Sequence, residues 1–153
     1  MSDTISLSRR RLRTWIRLLR LTRRSESHLR EFLRVEYNTT LPRFDVMAAL
    51  HRNQTPIKMS DLSRMLLVSN GNATAIIGRL EQDGWVTRTP VKTDRRVIEV
   101  QLTDQGRAQF EILAAAHEAE VDKLFSGFDH DDLDTLRDML KQAKGDDDDD
   151  SDD

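Results

Sequence analysis

The sequence predicts a mainly α-helical chain carrying one small β-hairpin, and three observations lead there. Apolar residues recur at helical spacing in six stretches separated by Gly, Pro or polar breaks. After Gly84 the period switches to strand alternation, clearest in Val97–Leu102. The 153 residues contain no cysteine and no apolar run near 18 residues. Disulfides, thiol chemistry and a membrane-spanning helix therefore drop out, and a cytoplasmic location is the expectation.

The elements follow in order. Residues 7–36 lack Gly and Pro, and Leu12, Ile16, Leu19, Leu29, Phe32 and Leu33 fall near helical spacing. Such a helix is about 45 Å long at 1.5 Å per residue, too long for the rest of this chain to cover. Pro42 ends the irregular stretch from Asn38 and suits the first turn of a second helix bearing Phe44, Met47, Ala48 and Leu50. Asn53–Pro56 reads as a turn. Met59, Leu62, Met65 and Leu66 make a short third helix. Ala73, Ile76, Ile77 and Leu80 give the fourth one apolar face, ended by Gly84. Val86–Thr89 and Val97–Leu102 read as strands, with PVKTDRR as a polar loop between them. Thr103 has N-cap character before a fifth helix to about Phe125. A last helix spans residues 131–143. The domain reading is an N-terminal dimerisation helix (1–37), a middle region (38–103), C-terminal dimerisation helices (104–144) and a disordered acidic tail (145–153).

The net charge of −3 conceals an asymmetry. The terminal DDDDDSDD holds seven of the 27 acidic residues, so the body carries 24 basic against 20 acidic side chains. Residues 1–34 contain ten Arg and three acids. A basic body points to polyanions, although a solvated helix face accounts for some of it.

A short helix, a turn, a second helix and a hairpin with a basic tip describe a winged helix-turn-helix, whose second helix enters the DNA major groove. This explains the composition of VSNGNATAIIGRLEQDG. Ser69 suits an N-cap and a phosphate contact. With Ala73 and Ile77 inward, Gly71, Thr74, Ala75, Gly78 and Gln82 face outward, and their small size lets the helix lie deep. Asn70 and Asn72 flank that face and suit adenine; Ala and Thr methyls suit thymine. Arg79 can reach a base or phosphate. At the wing, Lys92, Asp94, Arg95 and Arg96 crowd together, and Asp94 can hold an Arg for minor-groove entry. The competing readings are a plain loop before a buried helix and a solubilising turn.

LPRFDVMAAL, SDLSRMLLVS, NATAIIGRLEQDGWV, DRRVIEVQLT and TDQGR together resemble the MarR family of winged-helix transcriptional regulators, over about residues 10–142. The resemblance implies dimers built through the terminal helices, and DNA contacts from the recognition helix and wing. It also implies that Asp94 and Arg96 take the paired wing positions. Many members carry a basic residue where this chain has Ala75. VSNGNAT after LPRFDVMAAL is similar to a subgroup controlling aromatic acid catabolism, some members of which answer hydroxycinnamoyl-CoA thioesters. Arg13, Arg17, Arg20 and Arg24 form a helical stripe that suits CoA phosphates, a solvated face or DNA phosphates. Expected partners are thus an inverted-repeat DNA duplex, a second copy and an effector, aromatic acyl-CoA or free aromatic acid. The expected effector pocket comprises Trp15, Leu19, Phe44, Met47 and Phe110, with Arg17 and Arg20 at its mouth.

Other signals are weaker. The four histidines lack metal-site spacing, and Asp129–Asp132 reads as a helix N-terminus rather than a ligand set. No cofactor and no enzymatic activity are expected. A winged helix that binds only protein would call for an acidic or apolar wing, and this wing is basic.

Overall fold

The structure, a computed structural model, describes residues 5–66 and 70–144. The expected acidic tail and the Ser69 cap lie outside those residues, as do the side chains of Asn70 and Gly71. The elements run α1 (Leu7–Tyr37), α2 (Leu41–Asn53), β1 (Ile57–Lys58), α3 (Met59–Met65), α4 (Asn70–Gln82), β2 (Val86–Val91), β3 (Asp94–Leu102), α5 (Asp104–Leu124) and α6 (His130–Lys144). The chain divides into two compact units, Met1–Ala119 and Glu120–Asp153.

Local chemistry sets the boundaries. Ser6 Oγ accepts from the Arg9 amide at the start of α1, and Asn38, at φ 49°, closes its end. Thr40 Oγ1 caps α2 through the Arg43 amide, with Pro42 in the first turn where its missing N–H costs nothing. Gly84, at φ 77°, ends α4: its amide donates to Glu81 O while the Trp85 amide donates to Leu80 O. Thr103 Oγ1 accepts from the Gly106 amide at 2.9 Å and donates to Gly84 O at 2.7 Å. One hydroxyl therefore caps α5 and fastens it to the end of α4.

The core of the first unit joins α1, α2, α3, α4, the sheet and α5. Leu33, Val46, Met47, Leu62, Ile77, Leu80 and Val100 are wholly buried there. Burying each such side chain contributes about 1.5–3 kcal/mol. In the second unit, Asp129 Oδ1 accepts from the Asp132 amide and Asp132 Oδ2 from the Asp129 amide. This reciprocal cap accounts for the acidic cluster without a metal.

The sheet has order β1-β3-β2, antiparallel throughout. β1 is absent from the sequence reading because two residues show no alternation; Ile57 opposite Val100 holds it. The expected PVKTDRR loop is corrected too. Pro90 and Val91 belong to β2 and Asp94–Arg96 to β3, leaving Lys92-Thr93 as the turn. Main-chain pairing carries a strand at a hairpin tip whatever its side chains, so polarity alone misleads there. Pairing moves from Pro90↔Ile98 to Val91↔Asp94, so Arg95, Arg96 and Val97 bulge out of the ladder. Pro90 lacks the N–H that would continue it.

Candidate nucleic-acid interface

α4 turns Ala73, Ile77 and Leu80 into the core, each with no exposed surface. On a 3.6-residue repeat that leaves Ala75, Gly78 and Gln82 outward, with Thr74 on one flank and Asn72 and Arg79 on the other. Asn72, Thr74, Ala75, Arg79 and Gln82 are exposed, as the alternation of small and polar residues predicts.

Two ion pairs, neither legible in the sequence, fix the helix. Arg43 of α2 reaches Asp83, just past α4, at 2.8 Å, and its own side chain is only 16% exposed. Arg88 of β2 makes a two-pronged contact with Glu81: Nη2 to Oε1 at 2.8 Å and Nε to Oε2 at 3.3 Å. The Arg88 hydrogen bonds hold the Glu81 carboxyl below its usual pKa, and Glu81 raises that of Arg88. Both pairs bridge distant elements, so they orient α4 against α2 and the wing. Their sequence signal is slight, because partners 40 and 7 residues apart obey no local spacing rule.

At the wing, Asp94 Oδ1 accepts from the Arg96 backbone amide at 3.1 Å and from Arg96 Nε at 3.2 Å. The Arg96 side chain is 92% exposed, so its guanidinium is aimed by Asp94 yet open to a partner. Lys92 and Arg95 are exposed beside it. Thr74 of α4 and Arg96 of β3 line one groove of about 270 Å³, with Met59, Ser60, Ser63, Val97 and Ile98 completing it. Residues read separately as recognition-helix and wing contacts thus meet on a common surface.

The residues expected to form the effector pocket do not line one groove within this protomer. Met47 has no exposed surface, and Phe44 and Phe110, with ring centroids 5.6 Å apart, are buried in the same core. Trp15 is 59% exposed and lines a separate groove of about 490 Å³ with Leu7, Arg10, Arg11, Thr14 and Leu18, all of α1. Leu33, which does join the Phe44 cluster, stands about 27 Å further along the helix axis. Apolar type and helical spacing cannot report such a separation. Leu19 is half-buried, while Arg17 and Arg20 are exposed. Titratable groups not expected there stand near Phe44 instead. The His117 ring stacks on it at 4.5 Å, and burial lowers the His117 pKa against the opposing pull of Asp45. Burial raises the Asp45 carboxyl, the nearby His117 pulling it down and Glu26 of α1 pushing it up. Among the described residues no group of acids and histidines could hold a metal, and no helix is long and apolar enough to cross a membrane.

A short helix leading to an outward-facing second helix, clamped beside a hairpin with an arginine tip, defines a winged helix-turn-helix protein. The MarR family model matches residues 39–98, which run from the α2 cap into β3. The chain is 33% identical over 111 residues to the HTH-type transcriptional regulator PecS of Dickeya dadantii, covering 71% of this chain and 67% of that protein. A cysteine-to-serine mutant of E. coli MarR complexed with operator DNA superposes with a TM-score of 0.75. It is 25% identical, covering 90% of this chain and 98% of the other. AbsC, a MarR family transcriptional regulator from Streptomyces coelicolor, gives 0.78 at 24% identity, covering 94% of each chain, and bears on the fold. The protein belongs to the MarR family of winged-helix transcriptional regulators.

Proposed function

We propose that this chain is a homodimeric, sequence-specific DNA-binding regulator that leaves its operator when a small ligand binds. The observation carrying the DNA-binding part is the shared groove of Thr74 and Arg96, with Arg96 aimed by Asp94 at a bulged wing tip. The solved complex of E. coli MarR with operator DNA supports it. In this reading Asn70, Gly71, Asn72, Thr74 and Ala75 are assigned to base edges, Arg79 to a base or a phosphate, and Ser69 to a phosphate. Lys92, Arg95 and Arg96 serve phosphates and the minor groove, and Asp94 acts by positioning Arg96. None of this is enzymatic, and the setting is the cytoplasm, where the DNA is.

The dimer reading rests on uncovered apolar surface in each unit. Leu7, Leu12, Trp15 and Leu21 of α1 are 43–60% exposed, and Leu133, Met139 and Leu140 of α6 are 43–61% exposed. Residues 1–37 and 104–144 would form the interface and residues 38–103 the reading head. Two-fold symmetry then calls for an inverted-repeat operator with half-sites about one DNA turn apart.

For the effector we propose an aromatic acyl-CoA thioester. Arg13, Arg17, Arg20 and Arg24 are exposed, with no ion pair among the described residues, and guanidinium groups suit CoA phosphates. The acyl group would sit near Phe44 and Phe110, each 7% exposed, rather than on Met47, which has no exposed surface. The ligand acts by preferring a dimer whose recognition helices are misplaced. A gel shift with DNA upstream of the protein's own gene, with and without hydroxycinnamoyl-CoA, tests the whole. Retarded duplex, released by the thioester and far less by the free acid, is expected. Equal potency of acid and thioester rejects the CoA assignment; absence of any retarded species rejects the DNA-binding reading.

A further inference from the structure

Eight arginines stand between Arg9 and Arg24 of α1, and no acidic residue precedes Glu26 in that helix. Arg9, Arg13, Arg17, Arg20 and Arg24 fall within an arc of about 80° at 100° per residue, so they form one continuous stripe. All five are exposed. Arg10 and Arg11 lie off the stripe, beside Trp15. Outside this stretch Arg34, Arg43, Arg64, Arg88, Arg96 and Arg137 each reach a carboxylate. Among the described residues, no arginine of the stripe does.

Such a stripe works against its own helix. Like charges three and four residues apart repel. The first turn of α1 also has no acid to oppose the positive end of the helix dipole. Both effects call for an anion laid along the stripe. From Arg9 to Arg24 the stripe is about 22 Å long at 1.5 Å per residue. Its occupant therefore needs several negative charges spread along an extended backbone, which a compact ion does not have.

The sequence carries such an occupant. Positions 146–153, DDDDDSDD, hold seven carboxylates and no basic residue. Eight extended residues span at most about 26–29 Å, and like charges along a chain favour extension. Length and charge thus match the stripe. A single exposed arginine–carboxylate pair contributes little. Five arginines facing seven carboxylates of the same chain act together, at a high effective concentration. We propose that the arginine stripe of α1 is a docking surface for the aspartate segment 146–153, which covers it until a stronger polyanion displaces the segment. The pairing rests on neither the DNA-binding nor the effector reading. It sets the threshold that a CoA phosphate at Arg17 or Arg20 would have to overcome.

The test compares the full-length protein with a chain carrying Asp146→Asn through Asp150→Asn, Asp152→Asn and Asp153→Asn, each titrated with a short heparin oligosaccharide. At about 0.1 M salt the asparagine chain should bind heparin roughly tenfold more tightly. The gain should shrink with added salt, as the screening length falls from about 10 Å at 0.1 M to about 3 Å at 1 M. With Arg9→Gln, Arg13→Gln, Arg17→Gln, Arg20→Gln and Arg24→Gln also present, the same asparagine changes should gain less than about twofold. Arginine Nε–Hε resonances in NMR give a second readout that needs no ligand. The resonances lost in the glutamine chain are the ones that the asparagine changes should shift. No gain in the wild-type background overturns the proposal. An equal gain in both backgrounds also overturns it, because the segment would then act elsewhere or through net charge alone. Shifts confined to other arginines overturn it as well.

Discussion

Two helices in this protein, α4 and α1, present faces left exposed among the described residues, and the two differ in kind. The leading face of α4 is built from Asn72, Thr74, Ala75, Gly78 and Gln82, with no large apolar side chain. The N-terminal half of α1 exposes Leu7, Leu12, Trp15 and Leu21, interleaved with arginines. α4 is braced from behind by core residues and from the sides by Arg43–Asp83 and Arg88–Glu81. The first turns of α1 show no comparable brace among the described residues. A rigid, shallow, polar face suits a partner of fixed shape such as a duplex. A long apolar face suits a partner that buries it, such as another helix. Exposure alone says that a surface is uncovered; its chemistry says by what it can be covered.

The support behind α4 is where this contrast breaks most easily. Leu80→Ala, removing a wholly buried side chain, should destabilise the chain by about 2–5 kcal/mol in denaturant unfolding. Gln82→Ala, two residues along and outward, should stay within about 0.5 kcal/mol. Equal effects would mean that α4 has no inner and outer face. On α1, Leu18→Glu places a charge in the surface proposed for the dimer. It should weaken association by at least 1.4 kcal/mol, a factor of ten, read by sedimentation as a monomer at concentrations where the wild type is dimeric. An unchanged sedimentation profile would remove α1 from the interface.

Within the reading head the two elements should separate by behaviour. Arg96→Ala is expected to weaken all duplexes and reduce the slope of log K against log salt by about 0.9. Asn72→Ala should cost roughly 1–3 kcal/mol of discrimination at one base pair and leave the slope alone. Parallel losses in both variants would dissolve the division between wing and helix.

The smallest effect concerns pH. Because burial lowers the His117 pKa, the unfolded chain binds its proton first as pH falls below about 6.5. The His117 contribution is therefore complete above that pH and is lost as pH drops toward the lowered value. Asp45, whose pKa is raised, works the other way, favouring the folded state as pH falls toward its raised value. His117→Phe should flatten the loss between pH 7.5 and 5.5 in thermal unfolding. A variant with the wild-type slope would assign that slope to other groups.

Most of the fold was legible because its helices are amphipathic and their ends carry recognised caps. Thr103, Gly84 and Pro42 each act as their residue type suggests. The wing was legible as a hairpin but not in its bounds, since the bulge at Arg95–Val97 depends on pairing across the strands. The face of α4 could be read because one helix has one periodicity. Which residues of α1, α2 and α5 meet could not, because contact depends on how far along each helix it falls. Trp15 and Phe44 are alike in character, yet one is 59% exposed and the other buried. The braces at Arg43 and Arg88 were invisible for the same reason.

The junction of Gly84, Trp85, Thr103 and Gly106 has a mechanical consequence. The Thr103 hydroxyl grips α4's final turn while its amide donates to Trp85 O, and Gly106 leaves that carbonyl pressed against α5. The start of β2, the end of β3 and the first turn of α5 are therefore tied together at one point, so that a change at Gly84, Thr103 or Gly106 disturbs all three at once.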